Sequence, residues 1–174
     1  MEGLKDKILA LVREHLKAAP ARPWRAGQDK VPYAGRVIGE EERAALIEAS
    51  LQCWLTLGEF GDKFEAGLKK VLNVRDVILV NSGSSANLVA LTSLASEMTP
   101  NRLQAGDEVI TPAVTFPTTL APIVQNNLVP VFVDCEIGTY NADIAAVEAA
   151  VSPKTRAIML PHTLGNVFDL DRVV

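Results

Sequence analysis

Cysteine, histidine and aromatic residues are scarce in this chain: its 174 residues include 2 Cys, 2 His, 5 Phe, 2 Trp and 2 Tyr. Cys53 and Cys135 stand far apart, with no C-x-x-C spacing and no histidine close in sequence. That excludes a zinc-binding or redox pair and reads as two free thiols of a reducing cytoplasm, with no metal site. An excess of positive charge is also missing. The 17 basic and 21 acidic residues are mixed along the chain for a net charge of -4, and the nearest thing to a basic cluster is Arg22-Pro23-Trp24-Arg25. A dense phosphate-neutralising surface for nucleic acid is therefore not expected. No apolar run approaches bilayer length, and charges break Met1-Glu2-Gly3-Leu4-Lys5-Asp6-Lys7 too often for a signal peptide, so no membrane role is expected. No internal repeat or low-complexity tract is visible.

What is present is concentrated in Val77-Ile78-Leu79-Val80-Asn81-Ser82-Gly83-Ser84-Ser85-Ala86-Asn87, an apolar run that passes through a Ser/Gly turn into a helical sequence. The first N–H groups of a helix have no intrahelical partner and lie at the positive end of its dipole, so such a turn can cradle a phosphate. Gly83 allows close approach, and Ser82, Ser84 and Ser85 add hydroxyls. A serine-capped helix without a ligand is the plainer reading of the same residues.

Around this segment the chain alternates. Leu4, Ile8, Leu11, Val12 and Leu16 have helical spacing, and Ala19-Pro20-Ala21-Arg22-Pro23 ends the pattern in a stiff linker. His15 on that helix reads as a solvated or packing residue. Helices are expected from Glu40 to about Trp54 and from Phe60 to Leu72, the latter with Phe60, Phe64, Leu68 and Val71 on one face. Strands are then expected at Val77–Val80, Glu108–Thr111, Val129–Asp134 and Ala157–Pro161, between helices near 85–97, 117–126 and 143–150, the last opened by Asn141 or Asp143. This alternation predicts an α/β fold with a mostly parallel sheet and flanking helices. The polar segments 81–85, 112–119, 134–141 and 162–166 all follow strands, where ligands bind in such sheets.

Three segments, Asn81-Ser82-Gly83-Ser84-Ser85-Ala86-Asn87, Thr111-Pro112-Ala113-Val114-Thr115-Phe116-Pro117-Thr118-Thr119 and Pro161-His162-Thr163-Leu164-Gly165-Asn166, together resemble the sugar-nucleotide aminotransferase family of the DegT/StrS type. Tyr33-Ala34-Gly35-Arg36-Val37, Trp54-Leu55-Thr56-Leu57-Gly58 and Phe64-Glu65 resemble its branch of CDP-4-keto-6-deoxyglucose 3-dehydrases from lipopolysaccharide biosynthesis. Residues 1–30 read as an N-terminal helix and linker from their spacing, and the resemblance covers nearly all of residues 30–174. Residues 31–174 would then be an incomplete large domain of the fold type I enzymes that use pyridoxal phosphate or pyridoxamine phosphate. It implies a homodimer with the cofactor near the subunit interface, a nucleotide-sugar substrate and, in the dehydrases, a reductase partner.

By the same resemblance Gly83, Ser84 and Ser85 hold the cofactor phosphate, Phe116 lies on the ring face and His162 is near the cofactor, while Trp54, Thr56 and Gly58 lie near the sugar. Position alone also allows Phe116 and Trp54 to be core aromatics and His162 to satisfy loop backbone. A turn and a helix cap account for Asp134 and Asn141. The chain ends at Asp169-Leu170-Asp171-Arg172-Val173-Val174, in what reads as the first turns of a helix. The resemblance places later the carboxylate for the pyridinium nitrogen, the Schiff-base lysine or its replacing histidine, the small domain and any iron-sulfur cysteines. The expectation is thus a dehydrase fragment inactive by itself. The alternatives are an aminotransferase of the same family, a non-catalytic module for a phosphorylated ligand, and an interaction role for the first helix and its linker.

Overall fold

The computed structural model describes residues 2–18, 23–31, 35 and 37–174. The chain forms two compact units, residues 1–79 and 80–174. Most of the expected linker at 19–23 and of the Tyr33–Val37 motif falls outside the described residues.

The first unit is helical, with α1 Glu2–Ala18, α2 Glu40–Gln52 and α3 Glu59–Leu72. Three acidic residues open α2, where the helix dipole favours them. The Gly39 N–H donates to the Glu42 carboxylate at 2.7 Å. Donation from Glu42's own N–H and from Gly39 holds that carboxyl below its ordinary pKa. Basic residues of α1 face acidic ones of α2: Lys5 pairs with Glu48, and Arg13 and Lys17 approach Glu40 at 3.5 and 3.7 Å. Such exposed pairs fix orientation more than they add stability. Although α3 is amphipathic, none of its residues is buried.

The second unit begins with α4 Gly83–Ala95 and continues as β1 Glu108–Pro112, α5 Pro117–Gln125, β2 Val129–Val133, α6 Ile144–Ala149 and β3 Thr155–Ile158. After a 3-10 turn at Thr163–Gly165 comes the short α7, Leu170–Val173, capped by Asp169. The three strands are parallel in the order β2-β1-β3. A central strand has both faces covered, which is why β1 reads as a continuous apolar run instead of an alternating one. Successive side chains point to opposite faces. Val109 packs with Leu91, Leu103, Ile123 and Leu128. Ile110 packs with Val133, Ala142 and Val147. The α4 and α5 side and the α6 side thus each bury one apolar layer against the same strand.

One expected strand is absent. Val77–Val80 pairs with no strand among the described residues. The Leu79 N–H instead donates to the Glu65 carboxylate at 2.7 Å, and Ile78 is exposed. A ladder needs a neighbour as well as an apolar sequence, and among the described residues none of the three strands pairs with this segment.

Candidate functional site

The helix that starts at Gly83 has a Ser82 cap whose Oγ accepts the Ser85 N–H at 3.1 Å. The Ala86 N–H bonds the Ser82 carbonyl at 3.0 Å. Among the described residues this leaves the N–H groups of Gly83 and Ser84 unpaired, the arrangement an anion needs. A Cβ at Gly83 would meet nothing within 4 Å, so the fold does not require glycine there for its own packing.

A proline sets the neighbour of this turn. Pro122 lies inside α5 and has no N–H, so the Thr118 carbonyl one turn earlier lacks a helical donor. Asn87 of α4 supplies one, donating from Nδ2 at 3.2 Å. Ser84, Ser85 and Leu88 consequently share a cleft of ≈ 180 Å³ with Thr118, Pro122 and Gln125. Asn87 was not singled out from sequence as a site residue, and the helix-internal Pro122 was the available signal.

A larger cleft of ≈ 430 Å³ opens beyond the carboxyl ends of β1 and β3, lined by Thr115, Phe116, Tyr140, His162, Thr163 and Leu164 among others. It brings Phe116 and His162 together. Phe116 is 71% exposed, which rules out the core-aromatic reading; it stands at the N-cap of α5, just before Pro117 pre-sets the first helical turn. The His162 ring lies 4.3 Å from that of Phe168, an aromatic partner the sequence analysis did not single out. Tyr140 and Leu164 both hold left-handed backbone, at φ 59° and 55°, which side-chain-bearing residues adopt at a cost and which collects at ligand sites. The hydroxyl oxygens of Thr111, Thr115 and Thr163 are buried without a hydrogen-bond partner among the described residues, and the last two line this cleft. Buried hydroxyls are normally paired, so these two offer polar contacts to a ligand in the cleft.

Asn141 does not cap α6. Asp143 does, accepting the Ala145 and Ala146 N–H groups at 2.9 and 3.4 Å. Asn141 is buried and bonds the loop after β3, while Asp134 belongs to the turn as expected, accepting the Cys135 N–H at 2.8 Å.

In the first unit, Trp54, Thr56 and Gly58 line a separate cleft of ≈ 170 Å³ with Gln52 and Phe60. Trp54 is 66% exposed and is not a core residue. Its indole N–H donates to the Leu57 carbonyl at 2.9 Å, and a Cβ on Gly58 would lie 2.7 Å from the indole Cδ1. A side chain at 58 would thus force the Trp54 indole to shift.

A sequence model of the DegT/DnrJ/EryC1/StrS aminotransferase family matches residues 36–174. The lipopolysaccharide biosynthesis protein RfbH of Salmonella typhimurium is 49% identical over 173 residues, 98% of this chain and 40% of its own length. The dTDP-4-dehydro-2,6-dideoxy-D-glucose 3-dehydratase of Saccharopolyspora spinosa is 49% identical over 170 residues, 97% of this chain and 37% of its own. Among solved structures, E. coli GDP-4-keto-6-deoxy-D-mannose-3-dehydratase with bound hydrated PLP superposes with a TM-score of 0.76 at 34% identity, over 83% of this chain and 37% of that one. The chain spans about two fifths of the length of the curated relatives it matches. With the family model matching residues 36–174 and relatives 49% identical over nearly all of its length, the chain belongs to the DegT/DnrJ/EryC1/StrS aminotransferase family.

Proposed function

We propose that this chain is the cofactor-binding part of a vitamin B6-dependent 3-dehydratase acting on a nucleotide-linked 4-keto-6-deoxy sugar, in deoxysugar or lipopolysaccharide biosynthesis. The observation that carries the reading is the cleft that gathers Phe116 and His162 at the carboxyl ends of β1 and β3. The residues fit the cofactor: two unpaired N–H groups at Gly83 and Ser84 suit a phosphate, exposed Phe116 offers a flat apolar face, and the partnerless hydroxyls of Thr115 and Thr163 suit polar substituents. When bound, pyridoxamine phosphate supplies an amine for the sugar ketone and a ring that accepts electrons as the C3 hydroxyl departs. The chain's own residues bind the phosphate, orient the ring and present His162 beside it.

No lysine and no carboxylate lines the Phe116–His162 cleft among the described residues. We therefore expect residues 1–174 by themselves to bind pyridoxamine phosphate without turning over sugar. The proposal extends to residues 31–174 as one enzyme domain, to Trp54, Thr56 and Gly58 as sugar-side residues, to a cytoplasmic location and to a homodimer. Exposed Val114, Ile137, Leu164 and Val167 in the second unit support the dimer, since apolar side chains left in water favour a protein partner.

The deciding experiment titrates the chain with pyridoxamine phosphate, which as an amine forms no Schiff base with surface lysines. Saturable binding is expected, and a cooperatively folded chain that shows none would sink the reading. Gly83→Ala sharpens it. The added methyl meets no protein atom, so stability should stay level or rise by about 0.4–1 kcal/mol through the unfolded state. Phosphate approach should be obstructed and affinity fall about tenfold, equivalent to ~1.4 kcal/mol. Denaturant unfolding read beside the titration checks both halves.

A further inference from the structure

Asn141 is 4% exposed and uses both ends of its amide on one distant loop. Its Oδ1 accepts the Thr163 N–H at 3.0 Å, and its Nδ2 donates to the Asn166 carbonyl at 3.2 Å. Asn166 reciprocates, donating from its own Nδ2 to the Thr139 carbonyl at 2.9 Å. These three bonds join the loop after β2 to the loop after β3. The two strands share no ladder, because β1 lies between them, so the clasp spans the end of the sheet from which the Phe116 loop departs.

The clasp also brackets the strained backbone of the cleft. Tyr140 precedes Asn141 and Leu164 follows Thr163, and both are in the left-handed region. Strained residues persist only where their surroundings over-determine them. At Leu164 the hydrogen bond that Asn141 Oδ1 accepts from the preceding residue's N–H is part of that determination, and the His162 ring, one residue earlier, rests against Phe168.

We propose that Asn141 is a positioning residue that acts through Thr163 to hold the His162–Leu164 wall of the cleft in its ligand-receiving conformation. This rests on reading the cleft as the site of a vitamin B6 phosphate.

The test compares hydrogen exchange and pyridoxamine phosphate binding in the unsubstituted chain, Asn141→Ala and Asn166→Ala. Asn141→Ala should speed exchange of residues 162–166 by about 10- to 30-fold, the factor worth one to two net hydrogen bonds, while β1 keeps its protection. Affinity for pyridoxamine phosphate should fall at least about tenfold, and the protection the ligand confers on 162–166 should disappear. Asn166→Ala leaves both bonds of Asn141 possible and should shift each readout only a few-fold.

Unchanged exchange at 162–166, equal acceleration in β1, or faster exchange with undiminished affinity would each overturn the positioning role. If Asn141→Ala fails to fold, the near-isosteric Asn141→Leu, which removes both bonds without leaving a cavity, decides: selective acceleration at 162–166 with weaker binding upholds the role, and no selective change defeats it. Absence of binding to the unsubstituted chain overturns the cofactor reading and this inference together. That result differs visibly from the case in which both chains bind equally well.

Discussion

Phe116→Ala is expected to weaken pyridoxamine phosphate binding by about 5- to 150-fold, the range of one aromatic ring stacked on a heterocycle at ~1–3 kcal/mol, while the unfolding transition stays in place. The two effects separate because Phe116 is 71% exposed. Large-to-small substitutions destabilise through lost burial and residual cavity, and a ring mostly in water loses little of either. Phe116→Trp, which keeps a flat apolar face, should retain most of the affinity. A fall in stability that matches the fall in affinity would make Phe116 a packing residue, and undiminished binding would remove it from the cofactor face.

Ile123→Ala should have the largest effect on the fold. Ile123 is completely buried on α5, against Leu91 of α4, Val109 of β1, and Leu103 and Leu128 of the connecting segments. Truncation there removes transfer free energy and leaves a cavity among elements that cannot all close on it, at a cost of about 2–5 kcal/mol. That is a large part of the ~5–15 kcal/mol that holds an ordinary domain together. Val124, the next residue, is 57% exposed, and Val124→Ala should change stability by no more than about 0.5 kcal/mol. Denaturant midpoints of the two variants provide the check, and equal midpoints would mean that the core does not lie where Ile123 places it. Because the second unit already carries exposed apolar side chains, the Ile123 variant should also aggregate more readily as unfolded chains become populated.

The alternation of elements from residue 108 to 158 was legible because each element carries its own period. Val109-Ile110-Thr111 and Val131-Phe132-Val133 are short apolar runs between turn residues, and Asp143 and Asp169 announce helices through caps that act within three residues. The family of the chain was legible as well, in the segments around Ser82, Phe116 and His162 and their order. Val77–Val80 misled for the complementary reason. Its composition is that of a strand, but pairing is a property of two segments, and these residues satisfy a backbone donor on a glutamate instead. Asn141 misled similarly, since a polar residue three positions before a helix looks like a cap until its amide is seen to reach 22 and 25 residues onward.

The sequence by itself determined the class of fold, most helix starts and the edge of the sheet on which the polar loops collect. These depend on local periodicity and capping, which operate over a few residues. Tertiary structure decided which side chains share a cleft, which aromatics face water, and how the Asn141 and Asn166 clasp joins two loops whose strands do not touch. Those outcomes depend on non-local contacts between segments tens of residues apart. A polar side chain's chemistry does not specify which of many distant backbone groups it will meet.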